Sequence, residues 1–266
     1  MIMKKNIFKV FTLALVCIGL VACSSNKAAT NNSESSVESI SKGDEGVRKT
    51  GILVMATNAE FPPYEYHENN EIVGIDVEIA KAIAEKLELK LDVKDMAFDA
   101  IIPSVSSGKA DIGLAGMTVT DERKANVDFT DTYAHSSQVV IVKNDSDIAS
   151  PDDLKGKKIG VQLGTTGDLY SANIEGASVE RFPKGLDAVV ALSQGKIDAV
   201  VIDSLPAKSF VENVEGTKIL DKEFTSEDYA IAIKKGNTAL VENINKAIKE
   251  LKEDGTLDKI TEKYIK

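Results

Sequence analysis

The sequence predicts an α/β protein built as two lobes of similar architecture. Short apolar runs alternate with stretches of helical periodicity, an order typical of mixed, mostly parallel sheets with crossover helices. Two segments, 98–112 and 186–199, repeat one pattern: an apolar helical stretch, a Gly-Lys-x-Asp turn and a strand. Because the copies lie far apart in the chain, we expect one in each lobe. The body has about 215 residues, enough for two modest cores.

The first 22 residues predict a secretion signal. Lysines open the segment, and 10–22 is an uncharged apolar run too short to span a membrane comfortably. Leu20-Val21-Ala22-Cys23 is similar to a lipobox, at which the cysteine is lipidated and becomes the new N-terminus. An ordinary signal peptide that happens to contain a cysteine is the alternative. Residues 23–49 are polar and predict a flexible tether behind a lipid anchor on Cys23.

Apolar patterning predicts the elements of the body. Helical periodicity indicates a helix over 76–87, and Ser150-Pro151 reads as an N-cap followed by proline at the first helical position. An apolar stripe from Leu240 to Leu251 predicts a helix that Gly255 ends. The predicted strands are 52–56, 112–115, 138–142, 158–161, 199–202 and 230–233.

Composition excludes several classes of function. The formal net charge of −10 argues against nucleic acid and anionic lipid as partners. If the signal is removed, Cys23 is the last cysteine left, so no internal disulfide can form. His67 and His135 are the only histidines, and no cluster has the spacing of a zinc site. We therefore expect no metal and no cofactor, and we assign both histidines to the surface.

Arginine is rare among the 32 basic residues, with only Arg48, Arg123 and Arg181. Its planar fork grips a carboxylate through two parallel hydrogen bonds, which lysine cannot do. Arg123 follows a candidate N-cap, Thr120, so we expect it in a helical first turn, where free N–H groups favour anions. The alternative is a solvated surface group. Arg48 lies in the polar linker and Arg181 beside Glu180, where a surface role suffices. We predict that Arg123 holds the α-carboxylate of a free amino acid.

Two further segments offer donors beside predicted strand ends. Gly116 would let backbone approach a ligand closely, and Thr118 offers a hydroxyl and an N–H. Gln162, Thr165 and Thr166 lie in a glycine-containing strand-to-helix turn that lacks the lysine of a nucleotide P-loop. Phosphate binding is therefore not expected. A plain turn is the alternative for the second segment.

Asp203 is the candidate of opposite charge. It follows a buried-looking run, and ligands bind beyond the carboxyl ends of strands in open α/β sheets. An N-cap for the following helix fits the local sequence equally well. Phe61 and Phe98 are two of few aromatic residues and could contact a ligand or belong to the core. Asn58 and Glu60 flank Phe61 and could face a ligand side chain or solvent.

Taken together, these segments resemble the extracellular amino-acid-binding proteins of ABC importers, the polar amino acid family of solute-binding proteins. The resemblance runs from about Gly51 to the end of the chain. Its markers are 58–66, 72–77, 98–105, 116–123, 128–130, 154–161 and 254–257.

The resemblance implies a type II periplasmic-binding-protein-like clamp. Each lobe would be a mixed, mostly parallel sheet flanked by helices, and two extended strands would join the lobes. Lobe 1 would comprise 50–132 plus 230–266, and lobe 2 would comprise 138–224. The hinges would be 133–137 and 225–229.

The resemblance also implies roles for the matching positions at the ligand backbone. Arg123 would take the α-carboxylate, helped by the N–H groups of Thr118 and Thr166. Asp203, with the Gly116 carbonyl and the Thr118 hydroxyl, would take the α-ammonium group.

At the ligand side chain, Phe61 and Phe98 would form a sandwich, with Asn58 and Gln162 near the tip. The two amides suit a polar neutral side chain such as glutamine. Glu60, if it faces inward, would favour arginine or another cation. Which amino acid is bound stays open at this point.

The implied function is capture of a free polar or cationic amino acid in a closing cleft and its delivery to an ABC permease with its ATPase. We expect a monomer, lipid-anchored through Cys23 on the extracytoplasmic face of the cell membrane, without catalysis. One alternative is an enzyme on the same fold, similar to cyclohexadienyl dehydratase, for which Glu60 is the only candidate acid or base. Another is a ligand-sensing module for a signalling partner.

Overall fold

The computed structural model describes Val47 and residues 50–265. The predicted secretion signal, Cys23, Arg48 and nearly all of the predicted tether lie outside the described residues. No helix in the described part of the chain is both long and apolar enough to cross a bilayer.

The first half of the described chain holds seven strands. Three helices accompany them: α1 (Ile75–Lys86), α2 (Ile101–Ser107), which follows a 3-10 turn at Phe98–Ala100, and α3 (Asp121–Lys124). The strands are β1 (Ile52–Thr57), β2 (Glu60–Phe61), β3 (Glu65–Glu68), β4 (Glu71–Val73), β5 (Lys90–Asp95), β6 (Ile112–Gly113) and β7 (Val127–Phe129).

The second half adds seven strands and five helices, with a 3-10 turn at Pro151–Leu154. The strands are β8 (Ala134–Lys143), β9 (Lys158–Gln162), β10 (Ser178–Phe182), β11 (Ala199–Asp203), β12 (Thr217–Ile219), β13 (Thr225–Tyr229) and β14 (Ala232–Lys234). The helices are α4 (Thr166–Ser171), α5 (Gly185–Ser193), α6 (Ser204–Asn213), α7 (Thr238–Glu253) and α8 (Thr256–Tyr264).

Two large sheets organise these elements. The first sheet has the order β5-β1-β6-β14-β7, and the second has the order β10-β9-β11-β8-β12 with β13 also on β8. A small third sheet joins β2, β3 and β4. In the first sheet only β14 runs against the other described strands, and in the second only β8 does. The prediction of mixed, mostly parallel sheets with flanking helices is confirmed.

The two reversed strands are the ones by which the chain changes sheets. It leaves the first sheet after β7 to enter β8, and it returns from β13 into β14. The start of β8 and the whole of β13 pair with each other, in a register that sets Gln138 opposite Thr225 and Ala134 opposite Tyr229. These paired residues cover most of the segments predicted as hinges.

The repeated Gly-Lys-x-Asp turn has the same construction in both sheets. Gly108 and Gly195 adopt left-handed backbone, with φ of 76° and 70°, at the end of the preceding helix. The Asp111 carboxylate then accepts a hydrogen bond from Val54 N at 2.8 Å, and the Asp198 carboxylate accepts one from Lys158 N at 2.7 Å. Each aspartate thus fixes the neighbouring parallel strand, which explains why the sequence pattern recurs.

Helix predictions agree closely with the structure. Ala80, Ile83 and Ala84 of α1 and the apolar stripe of α7 are buried, and Gly255, with φ of 72°, lies between α7 and α8. Ser150 and Asp153 form a capping box, but the turn that they start is a short 3-10 helix. The strand predicted over 230–233 begins later, at Ala232, because Ala230 N donates instead to Met117 O at 3.1 Å.

Candidate ligand-binding site

Ten of the eleven predicted site residues line one cavity. Residues associated with both large sheets contribute to it. The lining consists of Asn58, Phe61, Phe98, Gly116, Thr118, Arg123, Gln162, Thr165, Thr166 and Asp203.

The cavity lies at the carboxyl ends of strands. Asn58 directly follows β1, and Gly116 comes shortly after β6. In the second sheet, Gln162 ends β9 and Asp203 ends β11. Parallel strands bring their carboxyl ends to one edge of a sheet, so residues distant in sequence meet there.

Arg123 is buried, with 8% of its surface exposed. Its backbone N–H is capped by the Thr120 hydroxyl at 3.2 Å, as the sequence predicts. Nη1 donates to Thr118 O at 2.7 Å, and Nη2 donates to Gly164 O at 3.1 Å. The guanidinium carbon lies 5.3 Å from the centre of the Phe98 ring. Burial lowers the pKa of Arg123 from its usual value, although Glu227 and Asp203 oppose this shift.

Arg123 keeps N–H groups to spare. A guanidinium has five N–H donors, and the two carbonyl contacts use two of them. Within the described part of the chain Arg123 forms no ion pair with a carboxylate. A buried cation without a counter-charge is costly, so this group favours an anion in the cavity.

Asp203 supplies the opposite charge from the second sheet. It stands at the N-cap position of α6, but its side chain makes no capping hydrogen bond. Instead, the carboxylate accepts from Gln138 Nε2 at 2.7 Å and from the Tyr229 hydroxyl. Burial, together with the nearby charge of Glu227, raises the pKa of Asp203 to about 8. A cation beside Asp203 would therefore stabilise the ionised form of its side chain.

Thr165 and Thr166 form the turn that leads from β9 into α4. Thr165 is the N-cap of α4 and accepts from Asp168 N at 3.4 Å, while its hydroxyl donates to Gln162 O at 2.8 Å. The Thr166 hydroxyl accepts from Gln138 Nε2 at 3.2 Å. The turn is thus fixed by its own side chains, and it presents the start of a helix to the cavity.

Gly116 is required by its surroundings as well as by its backbone. Its φ is 53°, in the left-handed region, and a Cβ there would lie 2.8 Å from the Phe61 ring. Its N–H donates to Asp76 Oδ2 at 2.7 Å. The residue therefore holds the wall of the cavity close to Phe61 and leaves no room for a side chain.

Two amides meet at another part of the wall. Asn58 Nδ2 donates to Met96 O at 2.9 Å. Gln162 Nε2 donates to Asn58 Oδ1 at 2.9 Å and to Pro183 O at 3.4 Å. Asn58 follows a strand of the first sheet and Gln162 ends a strand of the second, so this contact links the two sheets.

Glu60 is the one predicted site residue outside the cavity lining. Its carboxylate pairs with Lys184 Nζ, and its side chain is 30% exposed. Glu60 and Phe61 are neighbours in β2, and successive side chains of a strand point to opposite faces. Since Phe61 lines the cavity, Glu60 points away from it.

The sequence did not identify Gln138 and Glu227, which lie directly behind the cavity. Gln138 Nε2 lies 3.0 Å from Glu227 Oε2, 2.7 Å from Asp203 Oδ2 and 3.2 Å from the Thr166 hydroxyl, so its two hydrogens are shared among three acceptors. The Thr118 hydroxyl, expected to meet a ligand, donates to Glu227 Oε2 at 2.9 Å. The sequence feature that could have pointed to Gln138 is a polar residue at the start of an otherwise apolar run. Glu227 gave none, since it depends on the pairing of β8 with β13.

A second buried group of acids lies below Gly116. Asp76 Oδ2 accepts from Gly116 N and, at 2.8 Å, from the Tyr133 hydroxyl. Burial raises the pKa of Asp76 to about 7 and raises the pKa of the neighbouring Glu65 well above its usual range. These acids support the cavity wall without lining it.

Arg181 has more than the surface role expected of it. Its Nε contacts the buried carboxylate of Asp168 at 2.9 Å, although the arginine side chain is half-exposed. Asp168 Oδ2 in turn accepts from Gly164 N at 3.2 Å. Arg181 thereby stabilises the turn that contains Gly164, whose carbonyl oxygen accepts a hydrogen bond from Arg123. His67 and His135 have exposed side chains beside Asp95 and Asp228, as predicted for surface histidines.

Comparison with known proteins identifies the family. The family model described as bacterial extracellular solute-binding proteins, family 3, matches residues 53–266. The chain belongs to this family. The arginine-binding extracellular protein ArtP of Bacillus subtilis (strain 168) is 34% identical to it over 258 residues, which cover 95% of this chain and 94% of ArtP. The ABC transporter glutamine-binding protein GlnH of the same organism is 34% identical over 272 residues, 98% of each chain.

Solved structures agree with this assignment. An ancestral arginine-binding protein bound to arginine superposes with a TM-score of 0.78 at 46% identity, covering 81% of this chain and 99% of that one. The fold of this family 3 solute-binding protein is therefore the type II clamp of periplasmic amino-acid-binding proteins. Its homologues are amino-acid-binding proteins of ABC transporters, which act outside the cytoplasm.

Proposed function

We propose that the cavity captures one free amino acid with a polar or cationic side chain, for delivery to an ABC permease and its ATPase. Arg123 takes the α-carboxylate, helped by the N–H groups of Thr118 and Thr166. Asp203, with the Gly116 carbonyl, takes the α-ammonium group. The Thr118 hydroxyl, already donating to Glu227, offers the ammonium an oxygen lone pair.

One observation carries this proposal: a buried arginine and a buried acid line one small cavity, and neither forms an ion pair with any described residue. Among the described residues, the Arg123 guanidinium donates hydrogen bonds to carbonyl oxygens, and the Asp203 carboxylate accepts from an amide and a phenol. A zwitterion supplies both missing partners at once. A ligand with a single charge would leave one buried group unmatched.

Enclosure by the protein makes useful affinity attainable. A ligand of about ten heavy atoms that binds at ~1 μM requires ~0.8 kcal/mol per heavy atom, a high value for a small molecule. Phe61 and Phe98 line the cavity and would sandwich the ligand side chain, with Asn58 and Gln162 near its tip. Thr165 completes the turn beside Gln162.

We propose that binding closes two lobes, 50–132 plus 230–266 and 138–224, about hinges at 133–137 and 225–229. Three side-chain contacts would form as the lobes meet. They are Arg123 with Gly164, Asn58 with Gln162, and Glu60 with Lys184. A permease that distinguishes the closed shape from the open one would accept only loaded protein.

We infer a binder rather than an enzyme. Glu60, the acid that the dehydratase alternative requires, lies outside the cavity lining, and Asp203 is the only acid among the described residues that line it. Incubation of the protein with each bound amino acid, followed by mass spectrometry of the supernatant, should return the ligand unchanged. Turnover would favour the enzyme.

We also propose that lipid on Cys23 anchors a monomer to the extracytoplasmic face of the membrane. Cys23→Ser should release the protein from the membrane fraction into the medium, whereas retention would contradict the anchor. Light scattering of the purified, detergent-extracted protein should give the mass of a monomer.

A thermal-shift screen of the twenty amino acids with cystine and ornithine tests the central proposal. We expect stabilisation by at least one amino acid, and calorimetric titration should give one site per chain. Arg123→Ala and Asp203→Ala should lose the response while remaining folded by circular dichroism. Absence of any amino-acid response in the folded wild-type protein would reject the proposed function.

A further inference from the structure

We infer that the cavity selects amino acids with a cationic side chain over neutral and acidic ones. This inference rests on the proposed function and specifies its ligand class. Three features support it: the orientation of two amides, the charges buried around the cavity, and the connection of those charges to the lining.

The orientations of Asn58 and Gln162 are fixed by backbone carbonyls. Met96 O can only accept, so the group of Asn58 facing it at 2.9 Å must be the NH₂. Asn58 Oδ1 then faces Gln162, whose NH₂ donates to it at 2.9 Å. Pro183 O, 3.4 Å from the same nitrogen, requires the same orientation of Gln162. Reversing either amide would set oxygen against oxygen.

Asn58 Oδ1 gives this wall an acceptor for a ligand. The Gln162 NH₂ group donates to Asn58 and Pro183, and Gln162 Oε1 lies beside Gly185, 3.6 Å from where a Cβ of that residue would stand. Asn58 Oδ1 accepts from Gln162 and keeps a second lone pair. A ligand side chain that ends in N–H donors matches this oxygen. A carboxylate would face it with like partial charge, so glutamate and aspartate should bind more weakly.

Buried charge distinguishes a cation from a neutral donor. In the part of the chain that the structure describes, five acids are buried against a single buried base, Arg123. Asp168 is matched by Arg181 at 2.9 Å. The remaining four acids have no cationic partner within ion-pair distance in the described chain: Glu65, Asp76, Asp203 and Glu227.

These acids are close enough to the cavity for their charge to act on a ligand. Asp203 lines it, and Glu227 is one hydrogen bond from Thr118, which also lines it. By formal charge, Asp203, Glu227 and Arg123 sum to minus one, so a zwitterion with a neutral side chain leaves the buried assembly one negative charge in excess. A cationic side chain removes that excess. Burial and mutual repulsion raise the pKa of Asp203, in keeping with an excess of acid here.

Arginine and citrulline provide the sharpest test, because they differ by a guanidinium against a neutral urea of the same shape. We expect calorimetric titration, at low and at physiological salt, to show that arginine binds at least about tenfold more tightly than citrulline. The attraction between opposite charges that lie close together in a protein is strong enough to give this ratio. Glutamine should bind more weakly than arginine, and glutamate more weakly than glutamine. Equal or tighter binding of citrulline or glutamate would overturn the inference.

A charge-removing variant links the preference to its cause. Glu227→Gln keeps the shape and an oxygen acceptor for Thr118 and Gln138 but removes one buried negative charge. The arginine-to-citrulline affinity ratio should fall several-fold. Asp228→Asn is the matched control, because it removes an equal charge from the next residue of β13, whose side chain is 58% exposed. Its ratio should stay at the wild-type value.

A purely structural role for Glu227 would weaken both ligands equally and leave the ratio unchanged, which would contradict the inference. The proposed function fails differently, since then neither ligand would bind the wild-type protein. Binding of amino acids without a preference for cations would leave the proposed function standing and reject only the ligand class.

Discussion

The guanidinium of Arg123 donates to the carbonyl oxygen of Gly164 at 3.1 Å. Arg123 belongs to α3, next to the first sheet, and Gly164 to the turn that follows β9 in the second. The group proposed to bind the α-carboxylate therefore also bridges the two halves of the cavity. Ligand contact and closure depend on one side chain.

Arg123→Lys should lower amino-acid affinity by more than about tenfold, because an ammonium cannot bind a carboxylate through two parallel bonds and still reach both carbonyls. The fold should persist, as judged by circular dichroism. Calorimetric titration measures the loss. Arg181→Lys, a substitution of the same kind at a half-exposed arginine outside the cavity lining, should have a much smaller effect. Unchanged affinity in Arg123→Lys would sink the carboxylate assignment.

Asp203→Asn should abolish measurable binding, because the buried ammonium group of the ligand loses its counter-charge. The substitution keeps the size of the side chain, so the melting temperature of the ligand-free protein should not fall. Titration with the best ligand from the screen provides the measurement. Normal affinity in this variant would move the ammonium site elsewhere in the cavity.

Ligand binding near pH 7 should release most of one proton. The pKa of Asp203 is raised to about 8, so the ligand-free carboxyl is mainly protonated at pH 7, and a bound ammonium group favours its ionised form. Titrations in phosphate and in Tris should give different apparent enthalpies at pH 7. At pH 9, where Asp203 has already lost its proton, the contribution of this carboxyl to that difference should vanish. A buffer-independent enthalpy at pH 7 would contradict the prediction.

Stability of the ligand-free protein should fall as pH rises from about 5 to 8. The pKa of Asp76 is raised from 3.8 to about 7, so the folded state holds a proton that the unfolded chain has already released. Wherever the folded state binds more protons, stability decreases with pH. Asp76→Asn should reduce this fall in melting temperature, whereas Asp121→Asn at the exposed start of α3 should not. Equal pH profiles for both variants and wild type would exclude Asp76 as the source.

Gly116→Ala should destabilise the protein and weaken binding. The left-handed backbone costs a non-glycine residue about 1 kcal/mol, and the clash with the Phe61 ring adds roughly 1–3 kcal/mol. Gly156→Ala is the matched control, because Gly156 has a similar φ of 69° with no atom within 4 Å of an added Cβ. Thermal unfolding of both variants separates backbone strain from the clash. Equal losses would show that the contact with Phe61 does not matter.

Much of the cavity was predictable because it lies at strand ends. Apolar runs that stop at a glycine or a polar residue mark those ends, and Gly116, Gln162 and Asp203 were found in this way, whereas Asn58 was named because it flanks Phe61. The sequence left open whether Glu60 faces the ligand, and the alternation within β2 turns its side chain away from the lining. Gln138 and Glu227 meet only through the long-range pairing of β8 with β13, a register that local patterns do not contain.

The position of β14 between β6 and β7 has a consequence for biosynthesis. Every strand of the second sheet lies within residues 134–229, whereas the first sheet lacks a central strand until residue 234 has been made. A ribosome working from the N-terminus therefore delivers a complete second sheet while the first is still open between β6 and β7. The half that begins first in the chain is the last to be finished, and a nascent protein that stops short of β14 would expose two unpaired strand edges.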